Sequence, residues 1–345
     1  MFDQLVGNRR AKDVLRRMLG QGRVPGALLF AGEEGVGKKL FALELARALN
    51  CRRPAGVEAC GECSSCARIG KFSYPPEDDR DEHKKVIWSE HRDVGMIIPY
   101  KRSILVDAAR DLERETNFRP YEGAARVFLV DDADRLNEAA SNALLKTLEE
   151  MPPSSYLVLL ASRPASLLAT IRSRCQTVRF APLAPEEIEE HLVASRRRAG
   201  EEARLAAQLS RGRLGLALEM NLDDYRERRE PLLGVLEALT LRPDRVRLLR
   251  AAEELSDAKR KDDYEPRLDV LETLVHDLWL LSVGRDDARV VNVDVRSQLA
   301  RMADGLSPSR ASRWLGRVEE LRAQLAVNVN RRVATDALFI SMASD

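Results

Sequence analysis

The stretch Phe30-Ala-Gly-Glu-Glu-Gly-Val-Gly-Lys-Lys-Leu40 decides the fold of this chain. It follows an apolar run at residues 27–30, which predicts a buried strand. It precedes residues 40–49, whose apolar residues lie on all sides of a helix and predict that this helix is buried. A strand, a glycine-rich loop and a helix in this order are typical of a phosphate-binding loop, G-x-x-x-x-G-K-[ST].

Five positions of this loop bear on phosphate binding. Gly32, Gly35 and Gly37 let backbone N–H groups approach phosphate oxygens, and the N-terminus of the helix adds positive potential. Lys38 would reach the terminal phosphates, but Lys39 replaces the Ser or Thr that binds Mg²⁺, and an ammonium cannot coordinate a metal. We therefore expect a site for ATP, ADP or another anion that is poorly equipped for hydrolysis, or else a glycine-rich turn without a ligand.

A second apolar run, at residues 127–130, ends in Asp131-Asp132. Acidic residues at the carboxyl end of a buried parallel strand lie where open α/β sheets bind ligands. In a P-loop protein the first acid orients Mg²⁺ and the second activates water. Asp131 suits the first role, whereas Asp132 is one methylene shorter than the usual Glu and would fall short of the water. The alternative is that these acids merely end a strand.

The pattern around these two runs predicts an α/β fold with a parallel sheet. Further strands are expected at residues 94–98, 156–160 and 177–180, with helices between them. Strands that alternate with helices imply right-handed parallel crossovers. Residues 70–92 carry Tyr74-Pro75-Pro76 and a dense mixture of charges, so we expect a linker or surface loop there, with His83 and His91 exposed to solvent and without chemistry.

Composition sets limits on the class of protein. The 345 residues predict two or three domains, and 44% apolar with 32% charged residues is ordinary for a soluble chain. A net charge of +1 implies no overall attraction to polyanions, so nucleic-acid contacts would need local patches. No apolar run is long enough to span a membrane, and the N-terminus does not read as a signal peptide. We therefore expect a cytoplasmic protein without membrane contact, with reduced cysteines.

Four of the five cysteines lie within sixteen residues, as Cys51, Cys60, Cys63 and Cys66. Two of the intervals are C-x-x-C, and Gly56 and Gly61 allow tight turns between the ligands. This pattern predicts one tetrahedral Zn²⁺ site. All four positions would be filled by thiolates, so the zinc would be structural rather than catalytic. The alternative is four free thiols.

Several motifs together resemble the bacterial clamp loader, the AAA+ pentamer that opens the sliding clamp for DNA polymerase III. They are Leu5-Val-Gly-Asn8, the P-loop, the four-cysteine module, residues 142–150 (NALLKTLEE) and Ser173-Arg-Cys175. The resemblance implies three domains. These are an AAA+ P-loop domain at 1–180 with the zinc module inserted at 51–66, a small helical lid at 181–222, and an all-helical collar at 223–345.

The chain departs from the motor subunits of that family at three points. Lys39 replaces the P-loop threonine, Asp132 replaces a glutamate, and Gly215 stands where the motor subunits have a sensor arginine. It keeps Arg174, which in the family projects into the nucleotide of the neighbouring subunit as an arginine finger. A damaged site with an intact finger resembles the delta-prime type of subunit. The resemblance implies gamma/tau and delta subunits, the sliding clamp and primed DNA as partners.

Two other functions remain open at this point. One is a diverged gamma/tau-like ATPase in which another residue supplies the metal ligand. The other is a stand-alone AAA+ adaptor that binds DNA. In the C-terminal region, apolar stripes at 268–281 and 314–325 predict packed helices, Ser307-Pro308 predicts a helix start, and Asn328-Val-Asn330 with the helix after it resembles the end of the collar.

Overall fold

The computed structural model describes residues 1–257, 262–284, 290–325 and 329–345. The chain forms two compact units. The first contains Met1–His191 and Ser210–Leu216, and the second contains Leu192–Leu209 and Ala217–Asp345. The division into three domains, with boundaries after 180 and 222, stays a prediction. Asn328 of the predicted collar end lies outside the described residues.

The first unit is built on a six-stranded sheet. Its strands are Ala27–Ala31 (β1), Ile87–Trp88 (β2), Val94–Ile97 (β3), Arg126–Val130 (β4), Ser155–Ala161 (β5) and Gln176–Arg179 (β6). Their order is β2-β3-β4-β5-β1-β6, and every neighbouring pair is parallel except β2 with β3. The predicted α/β fold with a parallel sheet is confirmed, and each predicted strand is found to within one residue at either end.

Helices cover the sheet. From the N-terminus they are Arg9–Gly20 (α1), Lys38–Asn50 (α2), Ser64–Arg68 (α3), Val106–Thr116 (α4), Glu138–Glu150 (α5), Ala169–Arg174 (α6) and Pro185–Ala194 (α7). Short 3-10 helices lie at Phe2–Gln4, Glu82–Lys84, Ala133–Arg135 and Pro164–Ser166. Asn137 caps α5, because its side chain accepts a hydrogen bond from the Ala140 N–H at 2.8 Å. The strands β1 and β4 are buried along their whole length, as expected for a sheet covered on both faces.

Two sequence-based expectations about residues 70–92 are wrong, and the predicted burial of α2 has one exception. His91 is fully buried and its ring is hydrogen-bonded to the Ser65 hydroxyl, and His83 is 5% exposed with its ring hydrogen-bonded to the Asp79 carbonyl. That segment is not only a loop, since β2 extends the sheet with an antiparallel edge strand. In α2, Leu40 is 54% exposed, so the helix has one open position in its first turn.

The second unit is all-helical among its described residues. Its helices follow α7 as Gly200–Leu209 (α8), Leu214–Glu219 (α9), Leu222–Thr240 (α10), Arg245–Leu255 (α11), Tyr264–Ser282 (α12), Arg296–Ala303 (α13), Pro308–Leu325 (α14) and Arg331–Ser344 (α15), with α9 beginning in the first unit. A 3-10 helix at Val293–Val295 precedes α13. Trp314 is fully buried, and its indole N–H donates to the Met342 carbonyl at 3.0 Å. The two predicted apolar stripes form this core.

No helix within the described ranges combines the length and hydropathy needed to cross a bilayer.

Asp93, just before β3, holds the backbone that leads into β4 by hydrogen bonds at the amino ends of these strands. Its buried carboxylate accepts backbone N–H bonds from Tyr121, Glu122 and Gly123 at 2.7–2.9 Å. Arg126 lies beside it, with its Nε 3.9 Å from an Asp93 oxygen. The bend before β4 therefore depends on one buried acid.

We expect Asp93→Ala to lower the free energy of unfolding by about 3–5 kcal/mol, because it leaves three N–H groups without their acceptor and removes the negative charge beside the buried Arg126. Urea unfolding followed by circular dichroism measures the change. Asp107→Ala is the control, since Asp107 is half exposed at the start of α4 and its removal should have no measurable effect. Equal stability of the two variants would contradict this role for Asp93.

Candidate functional site

The glycine-rich loop lies between the carboxyl end of β1 and the start of α2, as the sequence predicts. Gly35 and Gly37 have φ values of +80° and +94°, in the left-handed region that favours glycine. A Cβ at Gly32 would lie 2.5 Å from the Phe180 carbonyl oxygen, so only glycine fits there as well. The loop thus has the backbone of a phosphate-binding site.

Lys38 turns back onto this loop. Its ammonium donates to the carbonyls of Gly32 and Glu33 at 2.7 Å each, and it lies 3.3 Å from the Ser162 hydroxyl. The side chain is buried, and burial lowers its pKa in spite of the nearby aspartates. The group that would meet terminal phosphates is satisfied by the protein itself.

Lys39 forms an ion pair with Asp131, with 2.9 Å between its Nζ and the carboxylate. The ammonium also lies 5.1 Å from the centre of the Tyr74 ring. Burial acts to lower the pKa of Lys39, but Asp131 and the Tyr74 side chain outweigh it and raise that pKa. A tethered cation therefore neutralises the acid that would orient Mg²⁺ in a metal-dependent site.

The structure brings Asp132 to the same place, but in a constrained setting. Its φ is +47°, and its carboxylate lies 3.4 Å from the Arg135 guanidinium. Burial and the charge of Asp131 raise its pKa. An open cleft of about 680 Å³ adjoins Lys39, Asp131 and Asp132, and Tyr74 is part of its wall.

The segment that contains Gly215 packs directly on the loop. The Gly215 N–H donates to the Gly35 carbonyl at 3.1 Å, and a Cβ at Gly35 would lie 3.1 Å from the Arg213 Cβ. Gly215, where the resemblance implies that motor subunits carry an arginine, therefore makes a backbone contact with the loop here. A side chain at 215 would point toward Gly35 at 3.5 Å, in ordinary van der Waals contact.

Arg174 is the last residue of α6 and lies at the amino end of β6, opposite to the end that carries the glycine-rich loop. β6 pairs with β1 in parallel from Leu28 opposite Gln176, so Arg174 precedes the strands while Gly32 follows them. A rise of about 3.3 Å per residue puts roughly 15 Å of strand between these two ends. Arg174 is 37% exposed, its guanidinium contacts Glu149 at 2.5 Å, and a cleft of about 480 Å³ adjoins it.

The four cysteines predicted to bind a metal come together in one cluster. Their sulfurs all lie within 4.8 Å of one another, with 3.6 Å between Cys51 and Cys60, 4.0 Å between Cys51 and Cys63, and 3.4 Å between Cys63 and Cys66. Metal–sulfur bonds of about 2.3 Å in a tetrahedron require sulfur separations of about 3.8 Å. The cluster therefore fits a tetrahedral metal ion.

The local backbone favours thiolates in this cluster. The Cys60 N–H donates to the Cys51 sulfur and the Cys63 N–H to the Cys60 sulfur, each at 3.3 Å. Burial opposes ionisation of Cys63, but N–H groups of Cys66 and Arg52 donate to its sulfur and lower its pKa to about 6. Burial and the hydrogen bond to Cys63 raise the pKa of Cys66. A metal needs the thiolate forms, so the backbone donors favour metal binding at Cys63, whereas Cys66 would have to lose its proton when the metal binds.

Two side chains near these sites were not identified from the sequence. In the sequence, Tyr74 belongs only to a structure-breaking Tyr-Pro-Pro run, and Glu149 only to a motif that resembles the clamp-loader family. Tyr74 contacts Lys39 across 35 residues, and Glu149 contacts Arg174 across 25 residues. No local pattern could have indicated either contact.

A P-loop sheet, an inserted four-cysteine module and a helical C-terminal unit define an AAA+ protein of the clamp-loader class. Residues 7–184 match the family described as "DNA polymerase III, delta subunit", and residues 226–339 match "DNA polymerase III, delta subunit, C terminal". The chain belongs to the delta' family of DNA polymerase III subunits, which confirms the family indicated by its motifs.

Individual relatives agree with this assignment. The chain is 34% identical over 343 residues to DNA polymerase III subunit delta' of Escherichia coli, covering 98% of this chain and 92% of the relative. It is 27% identical over 322 residues to subunit delta' of Bacillus subtilis, covering 93% and 92%. It is 33% identical over 193 residues to subunit tau of Escherichia coli, covering 55% of this chain and 27% of tau.

We expect Lys39→Met to lower the free energy of unfolding by about 1 kcal/mol, because it leaves the partly buried Asp131 unpaired. The pKa of Lys39 is raised on folding, so the stabilisation is complete below the unfolded value of 10.5 and is lost as pH rises through the folded value. Urea unfolding at neutral pH and above pH 10.5 measures both effects.

Lys85→Met is the control for this experiment, because Lys85 forms an ion pair with Glu82 on the open surface and should contribute nothing measurable. A Lys39→Met chain as stable as the wild type at neutral pH would argue against the internal ion pair.

Proposed function

We propose that this chain is a non-motor subunit of the DNA polymerase III clamp loader, and that it supplies Arg174 in trans to the ATP site of a neighbouring subunit. Its partners in that complex are the gamma/tau and delta subunits. The complex is a pentamer, and this chain stabilises it. The assembled complex loads the sliding clamp onto primed DNA.

One observation carries the proposal. Arg174 lies at the amino ends of the strands β1 and β6, and the P-loop lies at their carboxyl ends. Arg174 therefore has no access to the nucleotide site of its own chain. An exposed arginine at the end of a short helix is available to a second subunit. An arginine supplied in trans is worth about 10³–10⁵ in rate in related phosphoryl transfers.

The P-loop of the chain itself is a degenerate nucleotide site in this proposal. Gly32, Gly35 and Gly37 keep the loop backbone, but Lys38 donates to loop carbonyls and Lys39 pairs with Asp131. A lysine ammonium has no lone pair with which to coordinate Mg²⁺. ATP or ADP bound here would lack the magnesium chemistry that hydrolysis requires. Asp132, bound to Arg135, is likewise not free to activate water.

The metal of the four-cysteine cluster is Zn²⁺ in a structural role. Four cysteine thiolates with tetrahedral spacing suit this ion, and four protein ligands leave no position for a substrate. Zinc would join Cys51 to the segment of Cys60, Cys63 and Cys66, a loop that otherwise has a small core around Ala59. The stabilisation of such modules is on the order of 10 kcal/mol.

We expect one zinc per chain by elemental analysis of carefully reduced protein, because the four sulfurs have tetrahedral spacing. Cys63→Ser should lose that zinc, since serine is a poor ligand for this ion. Cys175→Ser is the matched control, because Cys175 lies outside the cluster, at the end of α6, and its replacement should leave the zinc content unchanged. Wild-type protein without zinc would contradict the assignment.

We expect Arg174→Ala to lower the clamp- and DNA-stimulated ATPase of a reconstituted clamp loader by at least about 10³-fold at the affected site, because transition-state charge on the neighbour's phosphate loses its counter-ion. The subunit should still assemble, which gel filtration measures. Arg172→Ala, at an exposed arginine of the same helix, is the control and should retain activity.

Unchanged activity of the Arg174→Ala complex would show that the finger role is wrong. Magnesium-dependent ATP hydrolysis by the isolated chain, lost in Lys38→Ala, would instead identify a diverged gamma/tau-like ATPase. Failure to co-elute with the other subunits would point to a stand-alone DNA-binding adaptor.

A further inference from the structure

The guanidinium of Arg174 is retracted along its own helix. Its NH1 group donates to the Thr170 carbonyl at 3.0 Å, which lies one turn earlier in α6. Its NH2 group donates to the Glu149 carboxylate at 2.5 Å. Both acceptors belong to this chain, so the side chain lies back toward α5 and does not extend from the surface.

The surroundings leave room for this side chain to move. A cleft of about 480 Å³ adjoins Arg174 and Glu149, and its walls include Gly26 and Met151. Glu149 is 50% exposed and Arg174 is 37% exposed. An ion pair this open to water is weak and exchanges readily.

We propose that Glu149 is a positioning residue for Arg174, holding the finger retracted until the triphosphate of a neighbouring subunit displaces its carboxylate. This inference rests on the proposed function of Arg174. Thr170 supplies a backbone carbonyl that no side-chain substitution removes, so Glu149 is the exchangeable partner.

The exchange has a defined kinetic consequence. A phosphate competes with Glu149 for the same guanidinium N–H groups, and the pair must break before the finger engages. Arg174 contacts the phosphate both in the bound ATP complex and in the transition state. Competition from Glu149 therefore reduces the stability of the ATP complex and of the transition state by the same amount. Removal of the carboxylate charge should therefore lower KM for ATP and leave kcat unchanged.

The test is Glu149→Gln in the reconstituted, clamp- and DNA-stimulated complex, with steady-state ATPase as the readout. Glutamine keeps the shape of the side chain and removes its charge. The KM for ATP at the affected site should fall by up to about fivefold, the limit for an exposed ion pair, with kcat unchanged. The difference from wild type should shrink as salt is added, because exposed charges are screened.

Two further complexes make the result specific. Glu150→Gln removes the adjacent exposed carboxylate of α5 and should leave KM at the wild-type value. In an Arg174→Ala background, Glu149→Gln should have no effect on KM, because the group that it restrains is gone. Circular dichroism of each variant subunit establishes that it is folded.

The outcomes separate this inference from the proposed function. If Arg174→Ala abolishes stimulated ATPase but Glu149→Gln leaves KM unchanged, Glu149 does not restrain the finger and only the inference is wrong. A fall in kcat for Glu149→Gln would also overturn it, because Glu149 would then orient the finger in the transition state. If Arg174→Ala is fully active, the proposed function fails first.

Discussion

The parallel pairing of β6 with β1 is the constraint on which the functional geometry depends. It places the glycine-rich loop at the carboxyl ends of these strands and Arg174 at their amino ends. Within this sheet the loop and Arg174 are separated by the length of the strands. The proposed action of Arg174 on the nucleotide of a neighbouring subunit depends on this separation.

The ion pair of Lys39 with Asp131 balances charge inside the glycine-rich loop region. Loss of the hydroxyl at position 39 would remove the metal ligand and leave an acid without a counter-ion. Lysine supplies that counter-ion from within the chain, and Tyr74 covers it. The fold therefore keeps a charge-balanced loop in the absence of metal. Lys39 therefore contributes to the stability of this loop through its ion pair with Asp131.

The four-cysteine module is joined to the sheet through buried polar contacts. Ser65, inside the module, lies 3.1 Å from His91 Nε2, and the N–H of Asp93 donates to the other ring nitrogen of that histidine. Burial lowers the pKa of His91, so the ring stays neutral and can accept this hydrogen bond. An ordered module therefore supports the bend that Asp93 organises before β4.

Features that depend on neighbouring residues along the chain can be predicted from the sequence alone. The apolar runs of β1 and β4, the glycines of the loop, the spacing of the four cysteines and the Ser-Arg-Cys motif are local patterns, and they were sufficient for the fold class, the family and the candidate residues. Only the tertiary structure decided that Tyr74 covers Lys39, that Glu149 holds Arg174, and that His91 is buried. These contacts join residues that are 25 to 35 positions apart in the sequence. Such residues come together only when the sheet and its helices fold, so local sequence patterns do not predict the contacts.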